Sequence, residues 1–222
     1  MINSYRKEIF PISIYHGSVE NNDRLKDMLI PYIFEKVKDE NINNDPPDGW
    51  FTKSLKTSFD NKDVIQDLWN PDDDNNIAKE LRRQYLKVID QFFMHEEWSA
   101  EIDHVWYNYY VDGEYQEAHK HLGKYNDTIT FAFVHFLSYD PENHAPLIFS
   151  DPMSDIKSMQ PKLCPTQDPT GEKHIPRIKE GDVMMFPCWL EHEVRPGKRT
   201  PDYPRVSVAL NINVNEFGPD ND

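Results

Sequence analysis

The sequence predicts a mainly β chain with N-terminal helices, an α+β arrangement whose strands form an antiparallel barrel or sandwich. Three observations predict it. Apolar residues recur at helical spacing in two stretches before residue 95, they alternate with period two in segments after Trp98, and those later segments are short and separated by turn-forming residues. The change of period near Glu101 divides the chain into residues 1–100, an N-terminal strand and helical support region, and residues 101–222, a β core, within one structural domain.

The elements follow in order. Ile9, Pro11, Ser13 and Tyr15 alternate against Phe10, Ile12 and Ile14, which predicts a short strand over 9–15. Leu25, Met28, Leu29, Ile33 and Val37 fall on one helical face after an Asn or Asp cap, predicting a helix over 22–38. Asp39 to Gly49 and Pro71 to Asn76 are rich in Asn, Asp and Pro and read as loops, while Trp50 to Phe59 fits neither period. Ile77, Leu81, Tyr85, Val88, Ile89, Phe92 and Phe93 define a second long helix over 77–94. From Trp98, one face carries Ile102, His104, Trp106, Asn108 and Tyr110 and the other Val105, Tyr107 and Tyr109, a long strand that ends at an Asp112-Gly113 turn. Further strands are expected over 128–139, 147–149, 183–186 and 206–214. Between Asp140 and Pro176 the chain is crowded with proline; it reads as a long ordered loop, either a lid or a rigid surface segment.

Composition narrows the function classes. With 24 basic and 39 acidic side chains the formal charge is −15, which disfavours sequence-blind binding to nucleic acid or anionic lipid. The 13% aromatic content argues for a folded core rather than a disordered chain. Cys164 and Cys188 form no CxxC pair, so neither a zinc knuckle nor a dithiol motif is present, and a reducing compartment fits. Met1 to Tyr15 lacks the unbroken apolar stretch of a signal peptide, and no segment approaches the roughly 20 apolar residues of a membrane span, so a cytoplasmic location is expected. The Asn126-Asp127-Thr128 glycosylation pattern reads as chance in that setting.

Chemistry concentrates in two segments, Gly113 to His121 and Gly181 to His192. Positions i and i+2 of a strand share a face, so His119 and His121 can aim two imidazoles at one point. His192 supplies a third from another strand end. Three nitrogens on one side of a metal leave its other positions open for small ligands, as a catalytic transition metal requires.

Trp106 to His121, Gly181 to Val194 and Arg205 to Ile212 together resemble the core of the iron(II)/2-oxoglutarate-dependent oxygenases, in particular the prolyl-hydroxylase-like oxygenases of bacteria and bacteriophages. The resemblance covers about the last half of the chain, and residues 9–15 resemble the opening strand of the same family. It implies a double-stranded β-helix, or jelly-roll barrel, holding Fe(II), with 2-oxoglutarate and O2 as co-substrates. His119 then matches the first metal ligand, His192 the distal one, and Arg205 with Ser207 the anchor for the far carboxylate of 2-oxoglutarate. The chemistry agrees, since a guanidinium and a hydroxyl on one strand face hold a carboxylate by charge-assisted hydrogen bonds. Tyr110 matches a tyrosine that contacts 2-oxoglutarate, with Tyr109 as its competitor. His121 stands where the family commonly has a carboxylate. Either it completes a three-histidine centre, the reading favoured here, or it stands off and leaves another position open; Asp127 and Asp151 lie too far along the chain to replace it directly.

The resemblance implies hydroxylation of a peptidyl or small-molecule substrate, a prolyl residue first, with release of succinate and CO2. Two other readings compete: a metal cupin, whose first motif fits Gly113 and His119-Lys-His121 but which has no use for Arg205 and Ser207, and a non-catalytic jelly-roll binding protein. Of the remaining candidates, His135 shares an apolar face with Phe131 and Phe133 and is either a core histidine or a neighbour of 2-oxoglutarate. His104 reads as structural, His16, His95, His144 and His174 lack motif context, and Phe186 and Trp189 read as core residues. Glu191 and Glu193 bracket His192; one of them orienting its ring competes with plain surface charge, and Cys188 reads as a buried inert thiol.

Overall fold

The computed structural model describes residues 12–69, 76–93, 98–121, 130–154 and 173–216. Its strands are β1 (Tyr15–Ser18), β2 (Lys56–Thr57), β3 (Trp98–Tyr110), β4 (Gln116–His119), β5 (Phe131–Ser138), β6 (Leu147–Ser150), β7 (Lys173–His174), β8 (Asp182–Pro187), β9 (His192–Val194) and β10 (Arg205–Glu216). Three helices, α1 (Asn22–Lys38), α2 (Lys62–Leu68) and α3 (Asn76–Phe92), accompany them. Every strand pair is antiparallel, in one sheet ordered β1-β8-β5-β10-β3-β2 and a second ordered β4-β9-β6-β7.

Both faces of the larger sheet are buried, and period two decides which residue goes where. Val105, Tyr107, Phe133, Leu137, Val183, Met185, Val206, Val208 and Leu210 join α1 and α3 in one apolar cluster. Their neighbours Trp106, Tyr110, Val134, Phe136, Met184, Phe186 and Ala209 join the smaller sheet's Leu147, Phe149 and Val194 in another. The helices form for local reasons. The Asn21 side chain accepts the Arg24 amide to cap α1, and Leu25, Leu29 and Ile33 recur every four residues on its buried face. Asn61 likewise caps α2 through the Val64 amide. Ala78, Leu81, Tyr85, Val88 and Ile89 make the buried stripe of α3.

Most expected elements appear within a residue or two of their predicted ends, with instructive exceptions. The first strand begins only at Tyr15, opposite Met185, and runs to Ser18, opposite Asp182, where β8 starts; residues 9–11 lie outside the described residues. The ambiguous stretch Trp50 to Phe59 contributes the two-residue β2, paired with Tyr109 and Asn108. The short helix α2 had no predicted counterpart, since seven residues give periodicity little to work on. Of the proline-crowded segment, 155–172 lie outside the described residues, as do Cys164, His95 and Asn126 to Thr128, and β6 and β7 flank that stretch. Trp189, expected in the core, is 44% exposed, because it sits in the turn between β8 and β9 rather than on a strand face; Phe186 is fully buried as expected. No described helix is long and apolar enough to cross a membrane.

His135 belongs to the helix side. Its Nδ1 accepts from the Tyr85 hydroxyl at 2.8 Å, its Nε2–H donates to Asn22 Oδ1 at 2.9 Å, and Asn22 Nδ2 donates to the Leu137 carbonyl. One neutral imidazole thus ties α1, α3 and β5 together, which makes it a satisfied core histidine. Burial alone pushes its pKa down to about 3 from an ordinary 6.5. Below pH 6.5 the unfolded chain takes up a proton that the fold refuses. We therefore predict that the unfolding free energy falls by up to about 1.4 kcal/mol per pH unit from this group as pH drops from 6.5 toward 3. His135→Leu should be destabilised at pH 7.5 by about 2 kcal/mol, from stranding the Tyr85 hydroxyl and Asn22, yet show a shallower acid slope than the parent in denaturant titrations. Equal slopes would contradict this account.

Candidate metal centre

His119 ends β4 and His192 begins β9, and the two strands pair with these residues directly opposite one another. His121 lies just beyond β4, its backbone N–H bonded to the Cys188 carbonyl at 2.9 Å. The ring centroids of His119 and His192 are 4.2 Å apart, those of His121 and His192 5.0 Å, and those of His119 and His121 5.3 Å. One ligand nitrogen from each lies within 4.8 Å of the other two.

Each Nδ1 already has an acceptor. His119 donates to the Glu117 carbonyl at 2.7 Å, His192 to the Leu190 carbonyl at 3.0 Å and His121 to Asn211 Oδ1 at 2.7 Å. A ring that donates from Nδ1 carries its lone pair on Nε2, so all three present the same free nitrogen to the shared point. Burial first, and mutual repulsion second for His121 and His192, hold these imidazoles below their ordinary pKa; for His121 the value falls to about 4. They are therefore neutral, as metal ligation demands, near pH 7. Among the described residues no carboxylate joins this cluster. Asp151 instead caps the Met153 amide, and Asp127 lies outside the described residues.

A small cleft adjoins the three rings; Arg205, Ser207, Tyr110, Asn108 and Trp106 share its wall. Arg205 is 3% exposed, and its Nε and Nη1 find no hydrogen-bond partner among the described residues. Its guanidinium lies 4.5 Å above the Tyr110 ring and 5.8 Å from that of Phe136. Buried cations are normally paired, so a guanidinium with two unpartnered nitrogens beside a chelating cluster has the chemistry to seat an anion. Tyr110, not Tyr109, faces this cavity, because the odd-numbered residue packs toward the helices. Burial raises the Tyr110 pKa, so its hydroxyl stays protonated.

Several residues here have no role that the sequence alone assigns. The Trp106 indole N–H and Asn108 Oδ1 are buried and without partners among the described residues, on the same strand face as Tyr110. Asn211 follows Arg205, Ser207 and Ala209 at period two along β10, a spacing that would have found it. Glu117 acts twice: its carbonyl holds His119, and its carboxylate accepts the Phe51 and Thr52 amides at 2.7 and 3.2 Å, bringing the Trp50 ring to 6.2 Å from that of His119.

The other histidines stand apart. His104 bonds the Phe59 carbonyl, His144 the Tyr203 carbonyl and His16 the Asp182 carboxylate, while His174 stacks on Phe149. Neither flanking glutamate orients His192: Glu193 pairs with Arg195 and Lys173, and the acceptor is the Leu190 carbonyl. Cys188 is buried.

Residues 104–211 match the sequence model of the family described as "Putative 2OG-Fe(II) oxygenase". No curated protein sequence matches the chain. Among solved structures, a Pseudomonas putida prolyl-4-hydroxylase is 12% identical with a TM-score of 0.56, covering 91% of this chain and 92% of that one. The viral collagen prolyl hydroxylase from Paramecium Bursaria Chlorella virus-1, in its 2OG complex, is 13% identical with a TM-score of 0.52 over 89% and 95%. EctD from S. alaskensis with 2-oxoglutarate and 5-hydroxyectoine is 14% identical, TM-score 0.55, over 91% and 72%. At these identities the likeness is one of fold.

The geometry predicts that His119→Ala and His192→Ala each weaken Co(II) or Fe(II) binding at least about 100-fold in competition titrations, because each removes one of three convergent nitrogens. Far-UV spectra should stay unchanged, and wild-type affinity in either variant would dismiss the cluster as a metal site.

Proposed function

We propose a reaction for this chain, whose residues 104–211 match the 2OG-Fe(II) oxygenase family model: hydroxylation of a prolyl residue in a peptide or protein, or of a small metabolite, with release of succinate and CO2. In this reading His119, His121 and His192 hold Fe(II), Arg205 and Ser207 hold the far carboxylate of 2-oxoglutarate, and Tyr110 supports the guanidinium from below. The two sheets form a double-stranded β-helix around the site, and residues 1–100 brace it. When bound, Fe(II) with 2-oxoglutarate and O2 supplies the oxidising power, one oxygen atom going to substrate and the other to succinate.

The protein's share is binding, orientation and exclusion of water. Arg205 cannot lose its proton, and its planar fork matches a carboxylate. Placed at the bottom of an apolar wall, it attracts a dicarboxylate strongly because little water competes there. Ser207, 3% exposed on the same strand face, adds a neutral hydroxyl. The unpaired Trp106 N–H and Asn108 carbonyl oxygen offer one donor and one acceptor to whatever fills the remaining space. Prolyl and small-molecule substrates both stay within the proposal, since two of the structural relatives are named for prolyl hydroxylation and another holds 5-hydroxyectoine. A reducing cytoplasm suits an iron(II) site.

The observation that carries this reading is the pair of unpartnered Arg205 nitrogens, Nε and Nη1, in the wall shared with three neutral imidazoles. Anaerobic titration of Fe(II) and 2-oxoglutarate into the metal-free protein should develop the weak visible charge-transfer band of a chelated keto acid. Arg205→Ala should weaken 2-oxoglutarate by about 1.5–3 kcal/mol, roughly 10- to 150-fold, while leaving Fe(II) binding intact. Metal binding with no band at any 2-oxoglutarate concentration would sink the proposal.

A further inference from the structure

The three candidate ligands are not held alike. His119 and His192 each donate Nδ1–H to the carbonyl two residues earlier in their own segment, Glu117 and Leu190. Such a bond is made by the backbone and survives any side-chain change. His121 lies past the end of β4, and its Nδ1 reaches a side chain 90 residues away, the Asn211 amide oxygen on β10, at 2.7 Å.

Asn211 is 7% exposed and occupies a distinctive place in the sheet. It follows Arg205, Ser207 and Ala209 on the cavity face of β10, and the register with β3 slips just after it: Asn211 pairs with His104, but Ile212 pairs with Ile102. An extra residue in one strand re-aims the side chains beside it. Its amide also has two ends. The oxygen accepts from Nδ1 and leaves the His121 lone pair on Nε2, facing the other two rings. The NH2 group, turned toward the ring, would donate to Nδ1, move the proton to Nε2 and remove His121 as a ligand.

We infer that Asn211 is a positioning residue for this centre: its amide oxygen fixes the tautomer and orientation of His121 and so admits an imidazole as the third metal ligand. The inference rests on the proposed metal site and extends it. Because the acceptor is neutral, it orients the ring with little added basicity. An aspartate in its place would pull on the same proton with a full charge and make Nε2 a stronger donor.

Co(II) serves as the probe, because its ligand-field bands report the coordination sphere without turnover. Asn211→Ala should lower Co(II) affinity about 10- to 100-fold, with far-UV spectrum and thermal melt of the metal-free protein close to the parent. Asn211→Asp should bind Co(II) at least as tightly as the parent and shift the bands, and it keeps the inference testable should the alanine variant fold poorly. In a His121→Ala background, Asn211→Ala should cost nothing further, because the ring it serves is gone. Parental affinity and bands in both Asn211 variants would overturn the inference, as would an equal loss with and without His121. A wild-type protein that binds Co(II) in neither presence nor absence of 2-oxoglutarate would instead overturn the metal reading, and this inference with it.

Discussion

The alternation of side chains along β10 is the constraint on which the rest depends. Paired on both sides, with β3 and β5, this strand sends Val206, Val208, Leu210 and Ile212 into the cluster shared with the helices, and Arg205, Ser207, Ala209 and Asn211 to the opposite face. A slip of one residue would put the guanidinium among Leu and Ile side chains and empty the cavity of its cation. The apolar half therefore sets the register, and the polar half inherits its positions. Burial of ordinary valines and leucines is what places the chemistry.

The helices contribute by holding that sheet from behind. The bond from Tyr85 to His135, and on through Asn22, is a polar joint inside an otherwise apolar layer, and it fastens two helices to the central strand β5. It fixes one packing of α1 and α3 against strands whose other face must stay open to ligands. This division of labour explains how a sheet can be buried on both sides and still carry a cavity.

Much of this was legible in the residues. The boundaries of α1 and the long strands followed from period and caps, and His119, His121, His192, Arg205 and Ser207 stood out from spacing and from resemblance. What stayed hidden depends on distance in three dimensions. Asn211 is an unremarkable strand residue until the fold sets it behind His121. That two guanidinium nitrogens of Arg205 lack partners is a property of everything around them, and Trp189 reads as core until the β8–β9 turn carries it outward. The electrostatics were misleading in the same way: a chain of charge −15 builds its cavity from neutral imidazoles and one buried cation, so the local field invites anions that the surface as a whole repels.

Glu117 serves two neighbours with one residue. Its carbonyl steadies His119 while its carboxylate holds the backbone of residues 51 and 52 and, with them, Trp50 against the His119 ring. One residue thus supports a ring on the sheet and the backbone of a loop far from it in sequence, so the segment before β2 and the end of β4 share a single anchor.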